Sequence, residues 1–590
     1  MLRHTHTRPG LLRLRPVAAT LALSIWSTPF SLAGMKTNGW AVRSARGWRD
    51  ASRTSRARSA RLTFGLDLFA RVRRQIDLVT CGCERRRVAC TRNPIAGARS
   101  YLSWIFRVFL LGALASAAPL VQAAAAKRPN IVLICADDQA AWTLGCSGNP
   151  QAHTPHLDRL AAQGARLTNA LVATPVCSPA RASLFTSRYG SEVGILDFIT
   201  NPSHKEYTPA NGDIGIESRF VTFPALLARA GYTTGLVGKW HVGDWTNDSQ
   251  RKYHPTRHGF GYFMGLTGGG ASTQDPMLEK DGAVRRFEGL TDDILTGEAM
   301  AFVEREQARP FFLFLGLRAP HTKYLPVAPE DASPYRDLDP EIPNPDYPDL
   351  NVASVKQRMR EYLSSVTGVD RNVGRLLATL DRLNLAANTI VIFTSDHGYN
   401  VGHNGIWHKG NGIWATHKVP PATPNISPGY RPNLYDHSLR VPALVRWPGA
   451  IKPGAVIAQT VSSLDWYPTV LAMAGVPLPA DVTVRGRNAL PVLLGTNFAP
   501  WDNDFYAEYS MRVYCQTDMR AYRTAEWKLV RDFLNPTRDE LYNLVADPAE
   551  SRNRIQDAND PAVRAAISRL DARILENMRR NNDPALALRR

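Results

Sequence analysis

The chain has 590 residues, of which 44% are hydrophobic and 21% charged, so it can bury a large core and is not a disordered protein. Its formal net charge of +19 suggests, taken alone, a nucleic-acid-binding protein. The charge is unevenly placed, however. Residues 1–127 hold 22 Lys and Arg against 4 Asp and Glu, which leaves a net charge of +1 for the remainder. Nucleic-acid binding is therefore not expected of the chain from residue 128 onward.

Residues 1–127 indicate a basic leader rather than a folded domain, because their Arg-, Ser- and Ala-rich sequence shows no sustained periodicity. Two apolar stretches in it, residues 16–34 and 104–126, resemble export signals, and the second ends in small residues suited to cleavage. We predict a leader that is disordered or removed, a mature start within residues 124–127, and a periplasmic or secreted protein without stable membrane insertion. An uncleaved membrane anchor is the alternative.

The seven cysteines differ in context. Three lie in the leader without the second ligand pair that a metal site needs: Cys81, Cys83 and Cys90. Cys135 lies in an apolar segment and is expected to pack in the core. Cys146 and Cys515 could form a disulfide, which the sequence leaves open. Cys177 lies between two prolines in "PVCSPAR" and, as a lone cysteine in an exported chain, is a candidate nucleophile.

Short apolar segments alternate with helical patterns from residue 128 to about residue 500, which predicts an α/β fold. Strands are expected at residues 130–136, 234–238, 311–317, 388–396 and 441–448. Helices are expected at residues 156–163, closed by Gly164, at residues 224–230, closed by Gly231, and at residues 352–385. We predict a large mixed, mostly parallel sheet flanked by helices in a domain of residues 128–500.

The sequence style changes after residue 500. Residues 520–533 and 539–553 predict a small antiparallel sheet, and residues 560–580 predict a helix. Residues 501–590 are therefore expected to form a smaller C-terminal α+β subdomain. The aromatic residues of "WDNDFYAEYSMRVY", at 501–514, are expected to pack inside this subdomain rather than to bind a sugar.

Polar residues follow the predicted strands. Asp137 and Asp138 end the first strand, and Asp396 ends "TIVIFTS". Ligands of open parallel sheets bind beyond the carboxyl ends of the strands. Neighbouring carboxylates repel each other unless a cation lies between them, and their oxygens suit Ca²⁺ or Mg²⁺. Further candidates at the same edge are Lys239, His241, His321 and His397.

Six motifs occur in the order seen in the type I sulfatases of the alkaline-phosphatase-like superfamily. They are "NIVLICADDQ", "CSPARASLFTSR", "GKWHVG", "PHTKY", "FTSDHG" and "LRVPALVRWPG". The chain resembles that family from residue 128 to its C-terminus, including the ending "ELYNLVADPAE". The resemblance implies a sulfatase that hydrolyses carbohydrate or aryl sulfate esters.

The resemblance also implies a role for Cys177. A transient maturation enzyme would oxidise it to Cα-formylglycine, with Pro179 and Arg181 as recognition elements. One hydroxyl of the aldehyde hydrate attacks sulfur, and the second lets the sulfate leave as the aldehyde re-forms. A helix starting near Pro179 would point its amides at the anion.

The other site residues are carried over by the same resemblance. The implied ligands of one divalent cation, Ca²⁺ in preference to Mg²⁺, are Asp137, Asp138, Asp396, His397 and the hydrate derived from Cys177. Many relatives have Asn where His397 stands. Arg181 would hold the hydrate, Lys239 and His321 would bind sulfate oxygens, and His241 would assist regeneration of the aldehyde.

One further active-site cation is ambiguous. In relatives it lies a few residues before the motif that begins here with "LYDHSLRVP" at Leu434, whereas Lys409 in "HKG" is about two dozen residues earlier. Lys409 is favoured as leaving-group acid or sulfate ligand, with Arg431 and Lys418 as alternatives. His403 and His408 border this position and are expected to be structural or surface residues unless they contact substrate.

Two other functions stay open from the sequence. A phosphonate or phosphate ester hydrolase of the same superfamily would use the same fold and aldehyde, since both transferred groups are tetrahedral anions. A non-catalytic protein that binds anionic glycans is the other alternative, but such a binder need not retain the whole set of Cys177, Arg181, Lys239, His241 and His321.

Overall fold

The computed structural model describes residues 128–200, 204–205, 213–246, 250–496, 500–557 and 559–588. The leader of residues 1–127, with both export-signal predictions and its three cysteines, lies outside the described residues. No helix in the described part of the chain is long and apolar enough to span a membrane.

The strands and helices of the described residues are as follows. The first eight strands are β1 (Asn130–Ala136), β2 (Ala165–Leu171), β3 (Thr233–Lys239), β4 (Tyr262–Leu266), β5 (Met277–Lys280), β6 (Ala283–Arg286), β7 (Phe311–Gly316) and β8 (Thr389–Ser395). The next six are β9 (Asn400–Val401), β10 (Ile406–His408), β11 (Asn411–Trp414), β12 (Tyr430–Pro432), β13 (Ala443–Arg446) and β14 (Ala455–Ser462). The last four are β15 (Phe505–Tyr509), β16 (Met519–Arg523), β17 (Trp527–Asp532) and β18 (Glu540–Asn543).

The helices complete this inventory. They are α1 (Pro155–Gln163), α2 (Cys177–Thr186), α3 (Gly190–Val193), α4 (Phe223–Arg229), α5 (Thr291–Glu306), α6 (Pro329–Ala332), α7 (Val352–Arg382), α8 (Asp436–Leu439), α9 (Trp466–Met473), α10 (Leu490–Leu494) and α11 (Pro561–Arg580).

The main sheet has ten strands in the order β14-β2-β13-β8-β1-β7-β3-β4-β5-β6. Its central strands β8, β1, β7, β3 and β4 run parallel, whereas β13, β5 and β6 are antiparallel to their neighbours. The predicted large mixed, mostly parallel sheet is thereby confirmed. Because β8, β1, β7 and β3 are adjacent and parallel, their carboxyl ends lie side by side at one edge.

The central strands are buried on both faces, which explains their continuous apolar sequences. On β1, Ile131, Leu133 and Cys135 face one core layer, while Val132 and Ile134 face the other. Helices α2, α4 and α9 cover the first layer, and α1, α5 and α7 cover the second. Cys135 is fully buried, as expected of a packing residue.

The predicted helix ends agree closely with the structure. Helix α1 ends before Gly164, where a Cβ would lie 2.1 Å from the carbonyl oxygen of Val445, so only glycine allows this close approach to β13. Helix α7 ends at Arg382, three residues before the expected end at Leu385. Cys146 and Cys515 are both free thiols, so the disulfide left open by the sequence is absent.

Two smaller antiparallel sheets accompany the main sheet, β12-β11-β10-β9 and β15-β16-β17-β18. The second, with α11 packed on it, is the small sheet and helix expected near the C-terminus. It is joined to the chain after β12 by a buried charge cluster around Lys528 on β17. The Lys528 ammonium donates to the Leu434 carbonyl at 2.8 Å and to Asp436 at 2.9 Å, and it pairs with Glu550. The domain boundary at residue 500 stays a prediction.

We predict that Lys528→Met lowers the free energy of unfolding by about 3 kcal/mol or more, because it leaves the buried carboxylate of Glu550 without its cation. Urea unfolding followed by circular dichroism measures this change. Lys356→Met is the matched control, since Lys356 pairs with the largely exposed Asp339 and should matter little. Equal effects of the two substitutions would contradict the prediction.

Candidate active site

The acidic residues predicted at the strand ends lie together. Asp137 and Asp138 follow β1, and Asp396 and His397 follow β8, its parallel neighbour. The backbone N–H of Asp138 donates to the Asp396 carboxylate at 3.1 Å, which ties the two strand ends to each other. All four side chains are buried.

Cys177 lies against these acids at the first residue of α2. The helix begins two residues earlier than expected from Pro179, so Cys177 itself is in its first turn. Its Sγ is 2.9 Å from Lys409 Nζ, 3.5 Å from His397 Nε2 and 3.8 Å from Asp137 Oδ1. The residue is only 3% exposed.

Each of the three carboxylates is paired with one buried cation from a different element. The pairs are Lys239 Nζ with Asp137 at 2.6 Å, Lys409 Nζ with Asp138 at 2.7 Å and Arg181 Nε with Asp396 at 2.9 Å. Arg181 also donates to the carbonyl of Lys239 at 2.8 Å, which connects α2 to the end of β3. Such pairing offsets the cost of removing three like charges from water.

The cations also act on Cys177. Burial alone would raise the pKa of the thiol, but Lys239 and Lys409, together with His241 and His397, hold this pKa well below its usual value. This shift favours the thiolate over the thiol, and the thiolate is the form of cysteine that acts as a nucleophile or a metal ligand. The surroundings therefore stabilise negative charge at the position of Sγ.

The acids and His397 have the chemistry of a cation site. The Nδ1 of His397 donates to the Gly398 carbonyl at 3.0 Å, so Nε2 faces Asp138 at 3.1 Å and Asp396 at 3.4 Å. One oxygen of Asp138, Oδ2, is buried without a hydrogen-bond partner. Burial and, to a smaller extent, the negative charge of Asp137 raise the pKa of Asp396 to about 6. A bound cation would relieve both features.

Two overlapping groups of ligand atoms, each within 4.8 Å of one another, can hold a metal ion. Both contain Asp137 and Cys177. The groups are Asp137, Asp138, Cys177 and His321, and Asp137, Cys177, Asp396 and His397. The carboxylate-rich donor set fits a hard divalent cation such as Ca²⁺ or Mg²⁺. The sequence did not suggest His321 as a member of such a group.

The two histidines expected near the nucleophile line the same cavity as Cys177. The Nε2 of His241 donates to the Ile199 carbonyl at 2.9 Å, while Nδ1 is buried without a hydrogen-bond partner. The Nδ1 of His321 donates to the Thr322 carbonyl at 2.7 Å, and its Nε2 is 4.0 Å from Asp138. Each ring is therefore held by a backbone carbonyl and keeps its other nitrogen for the site.

Of the three candidate cations, the structure brings only Lys409 into the cluster. Arg431 pairs with Glu540 and donates to the hydroxyl of Tyr435, and Lys418 is exposed. Residues 410–433 form an insertion that runs away from Lys409 and back to it, and this insertion contains β11 and β12. Asn433 holds the end of this insertion against its start, because its side chain donates to the Lys409 carbonyl and its backbone N–H donates to the Gly410 carbonyl. The long insertion therefore leaves Lys409 in place.

The reactive groups open into a cavity of about 300 Å³. Sequence reasoning left several of its other lining residues out or assigned them elsewhere: Phe198, Thr200, Gly269, Gly270, His408, Asn411, Ile413, Tyr430 and Tyr514. Tyr514 was expected to pack within the C-terminal subdomain and lines the cavity instead, because the loop after β15 reaches the site. Only the length of the insertion after "HKG" hinted at additional walls.

Of the two histidines that border Lys409 in the sequence, His403 is structural and His408 lines the cavity. His403 is buried, accepts from the backbone N–H of Val401 at 3.2 Å and packs on His437 with ring centroids 4.1 Å apart. His408 was left open by the sequence and lines the cavity, where its Nδ1 donates to Asn411 at 2.7 Å.

A mixed α/β sheet whose strand ends hold buried acids, cations and an activated cysteine suits hydrolysis of an anionic ester. The chain belongs to the sulfatase family, since residues 129–476 match the family described as Sulfatase. Residues 431–580 match the family described as N-sulphoglucosamine sulphohydrolase, C-terminal. The chain is thus a sulfuric ester hydrolase.

Curated relatives agree with this assignment. Steryl-sulfatase of Rattus norvegicus is 33% identical over 451 residues, which cover 62% of this chain and 70% of the relative. N-acetylgalactosamine-6-sulfatase of Canis lupus familiaris is 32% identical over 402 residues, covering 64% and 69%. N-acetylglucosamine-6-O-sulfatase of Bacteroides thetaiotaomicron is 26% identical over 509 residues, covering 72% and 82%.

Solved structures share the fold. A complex with D-glucosamine-2-N,6-O-disulfate has a TM-score of 0.62 at 24% identity and covers 78% of this chain and 99% of that one. The crystal structure of Ps i-CgsB in complex with k-i-k-neocarrahexaose has a TM-score of 0.59 at 25% identity, with the same coverage.

We predict that Gly269→Ala reduces the kcat for sulfate ester hydrolysis by about tenfold or more, since small misplacements of reacting groups can cost 100-fold. A Cβ at Gly269 would lie 2.4 Å from Cε1 of the His241 ring and would displace it. Steady-state kinetics measures the effect. Gly270→Ala is the matched control, because a Cβ there meets nothing within 4 Å. Equal kcat values for the two variants would contradict this account of His241.

Proposed function

We propose that this sulfatase hydrolyses carbohydrate or aryl sulfate esters through a formylglycine formed from Cys177, with the help of one divalent cation. The observation that carries the proposal is the position of Cys177. Its Sγ is shared by both candidate metal groups and is 2.9 Å from Lys409 Nζ. An oxygen in that place would be surrounded by groups that stabilise its negative charge.

Formylglycine would supply, as its hydrate, one hydroxyl to attack sulfur and a second whose deprotonation releases sulfate while the aldehyde re-forms. Arg181, held by Asp396 and the Lys239 carbonyl, keeps a fixed positive charge beside this position. His241 donates from Nε2 to a backbone carbonyl, so its Nδ1 can take up the proton of the second hydroxyl.

The remaining cations hold the ester. Lys239 and Lys409 place their ammonium groups on opposite carboxylates, Asp137 and Asp138, and thereby flank the position of the transferred group. His321 presents Nε2 to the cavity and can donate to a sulfate oxygen when both of its ring nitrogens are protonated. Lys409 is also close enough to Cys177 to protonate the leaving oxygen, so both roles proposed for it remain compatible with its position.

A divalent cation would lower the pKa of the attacking hydroxyl and offset the charge of the sulfate group. We propose Asp137, Asp138, Asp396 and His397 as its ligands, and Ca²⁺ in preference to Mg²⁺. Oxygen ligands from several separate backbone segments suit the larger, less demanding coordination shell of Ca²⁺.

The names of the relatives indicate the candidate classes of substrate. They include proteins named for steryl sulfates and for N-acetylgalactosamine 6-sulfate, and one solved neighbour holds a neocarrahexaose. Phosphate diesters and phosphonates are the competing substrates, because their transferred groups are tetrahedral anions similar to sulfate. We also propose export, with the mature chain starting within residues 124–127.

We expect mass spectrometry of exported protein, made with the maturation enzyme, to find formylglycine in the tryptic peptide of residues 167–181. The peptide would lose one sulfur and two hydrogens and gain one oxygen. The N-terminal peptide of the same digest tests the predicted start. Activity is assayed in parallel on an aryl sulfate, a phosphate diester and a phosphonate, with Cys177→Ala as control.

An unmodified Cys177 thiol in an active preparation would contradict the formylglycine proposal. If kcat/KM is greater for the phosphate diester or the phosphonate, that ester and not the sulfate ester is the main substrate. Modified protein that binds but cleaves none of the esters would favour a non-catalytic glycan-binding protein.

We expect chelation to abolish hydrolysis and to lower the thermal unfolding midpoint of Cys177→Ala protein, in which no turnover occurs. A cation at 100 times its Kd adds about 2.7 kcal/mol of stability. Calorimetry after addition of Ca²⁺ or Mg²⁺ should show the larger recovery with Ca²⁺. Asp138→Asn should abolish the recovery, and a midpoint unaffected by chelation would contradict the metal site.

A further inference from the structure

The outer part of the cavity has an aromatic wall, formed by Phe198, Tyr430 and Tyr514. The rings of Tyr430 and Tyr514 stack with centroids 5.0 Å apart and an interplanar angle of 15°. Phe198 is 5.8 Å from Tyr514 at an angle of 37°. All three side chains are only partly buried, so they present ring surface to the cavity that begins at Cys177.

This wall is a built feature, because separate hydrogen bonds fix the segments that carry Phe198 and Tyr514. The buried carboxylate of Asp197 accepts from the backbone N–H groups of Phe198 at 2.8 Å, Arg512 at 2.7 Å and Val513 at 3.0 Å. It thereby ties the segment before the wall to the loop that carries Tyr514. The Ser427 hydroxyl donates to the Tyr514 carbonyl at 2.8 Å and joins the same loop to the insertion.

The insertion supplies the rest of the wall. Tyr430 on β12 is the direct cross-strand partner of Ile413 on β11, so their side chains lie side by side. Both line the cavity, whereas the next residue, Trp414, faces a different cleft together with Tyr347. The alternation of β11 therefore directs Ile413 toward the leaving-group side.

The charges of the cavity are confined to its reactive end. Among the described residues that line it, none is acidic, none is Arg, and Lys409 is the one Lys. Lys409 is already engaged with Asp138 and the position of Cys177. Lys205 lies with Nζ 5.4 Å from the Tyr514 ring centroid but is not among these lining residues. A second sulfate on the leaving group would therefore meet no Arg, and no Lys other than Lys409, among the described residues that line the cavity.

Polar groups of the outer cavity pair with one another. His204 Nε2 is hydrogen-bonded to the Tyr514 hydroxyl at 3.1 Å, Asn411 accepts from His408 at 2.7 Å, and Thr200 and Tyr430 each contribute a hydroxyl to the lining. A sugar ring would bury several hydroxyls against Phe198, Ile413 and the tyrosines, and each hydroxyl without a partner would weaken binding. An apolar ring would instead gain from every wall residue.

We propose that the aromatic wall is the leaving-group site of this sulfatase and that it selects an uncharged apolar ring alcohol, of which a phenol is the simplest, over a sugar. This inference rests on the proposed function, since it places the ester sulfate at Cys177. Phe198, Tyr430 and Tyr514 are then the residues that determine specificity, and Asp197 is a positioning residue.

The test measures binding without turnover. Cys177→Ala protein with Ca²⁺ is titrated with 4-methylumbelliferyl sulfate and with D-galactose 6-sulfate in a calorimeter. We expect the aryl ester to bind at least about tenfold more tightly, and Tyr514→Ala or Tyr430→Ala in this background to weaken it by about tenfold, as loss of aromatic contact implies. The sugar ester should change less than threefold.

Matched variants separate ring contact from structural damage. Tyr514→Phe keeps the ring and should bind the aryl ester within twofold of the parent. Trp414→Ala removes an aromatic side chain from the same insertion but from its other face, and should also leave binding unchanged. Thermal unfolding verifies each variant, and Phe198→Ala replaces any tyrosine variant that does not fold.

Tighter binding of the sugar ester, or aryl binding within twofold of the parent in the folded Ala variants, would overturn the proposal. Because binding requires neither formylglycine nor cleavage, this outcome is distinct from failure of the proposed function. In the active enzyme, the same Ala variants should raise KM for the aryl ester by about tenfold and change kcat much less, as lost ground-state contacts do.

Discussion

Three carboxylates without access to water lie at the ends of two adjacent strands, and their mutual repulsion is the constraint that organises this molecule. Each is matched by a cation from elsewhere in the chain: Lys239 from β3, Arg181 from α2 and Lys409 from the β10–β11 connection. Such charges are stable in a protein interior only as a complete set. The cluster therefore joins five segments of the chain: the ends of β1, β3 and β8, helix α2 and the β10–β11 connection.

The same physical device recurs away from the reactive groups. Lys528, with Asp436 and Glu550, forms a second buried set of charges that joins the C-terminal sheet to the segment after β12. That segment contains Asn433, which closes the insertion behind Lys409. The small C-terminal sheet thus supports the position of a cation that it does not itself contact. Tyr514 lies in a loop of this sheet, so the leaving-group side of the cavity also depends on the C-terminal sheet.

Sequence patterns were sufficient for the sheet and for the residues that follow its strands, because parallel neighbours bring Asp137 and Asp396 to the same edge whatever the loops do. They were insufficient where the position of a residue depends on hydrogen bonds between distant parts of the chain. Lys409 keeps its place through hydrogen bonds from Asn433, which spacing does not reveal. Tyr514 reaches the cavity from far along the chain, held through Asp197, so a local pattern indicated packing. The loop before α2 accepts a hydrogen bond at the Pro175 carbonyl from the distant Gly410 N–H, a contact that no local pattern indicates.

The burial of Cys177 limits when the proposed formylglycine could form. In the folded chain its sulfur is surrounded by Asp137, His397 and Lys409, and the residue is 3% exposed. The formylglycine proposed at this position would require the side chain to reach a second enzyme, and the folded chain buries it. On that proposal the thiol is converted before the polypeptide folds, and protein that folds first keeps an unmodified thiol. The proportion of active enzyme would then depend on the relative rates of folding and modification.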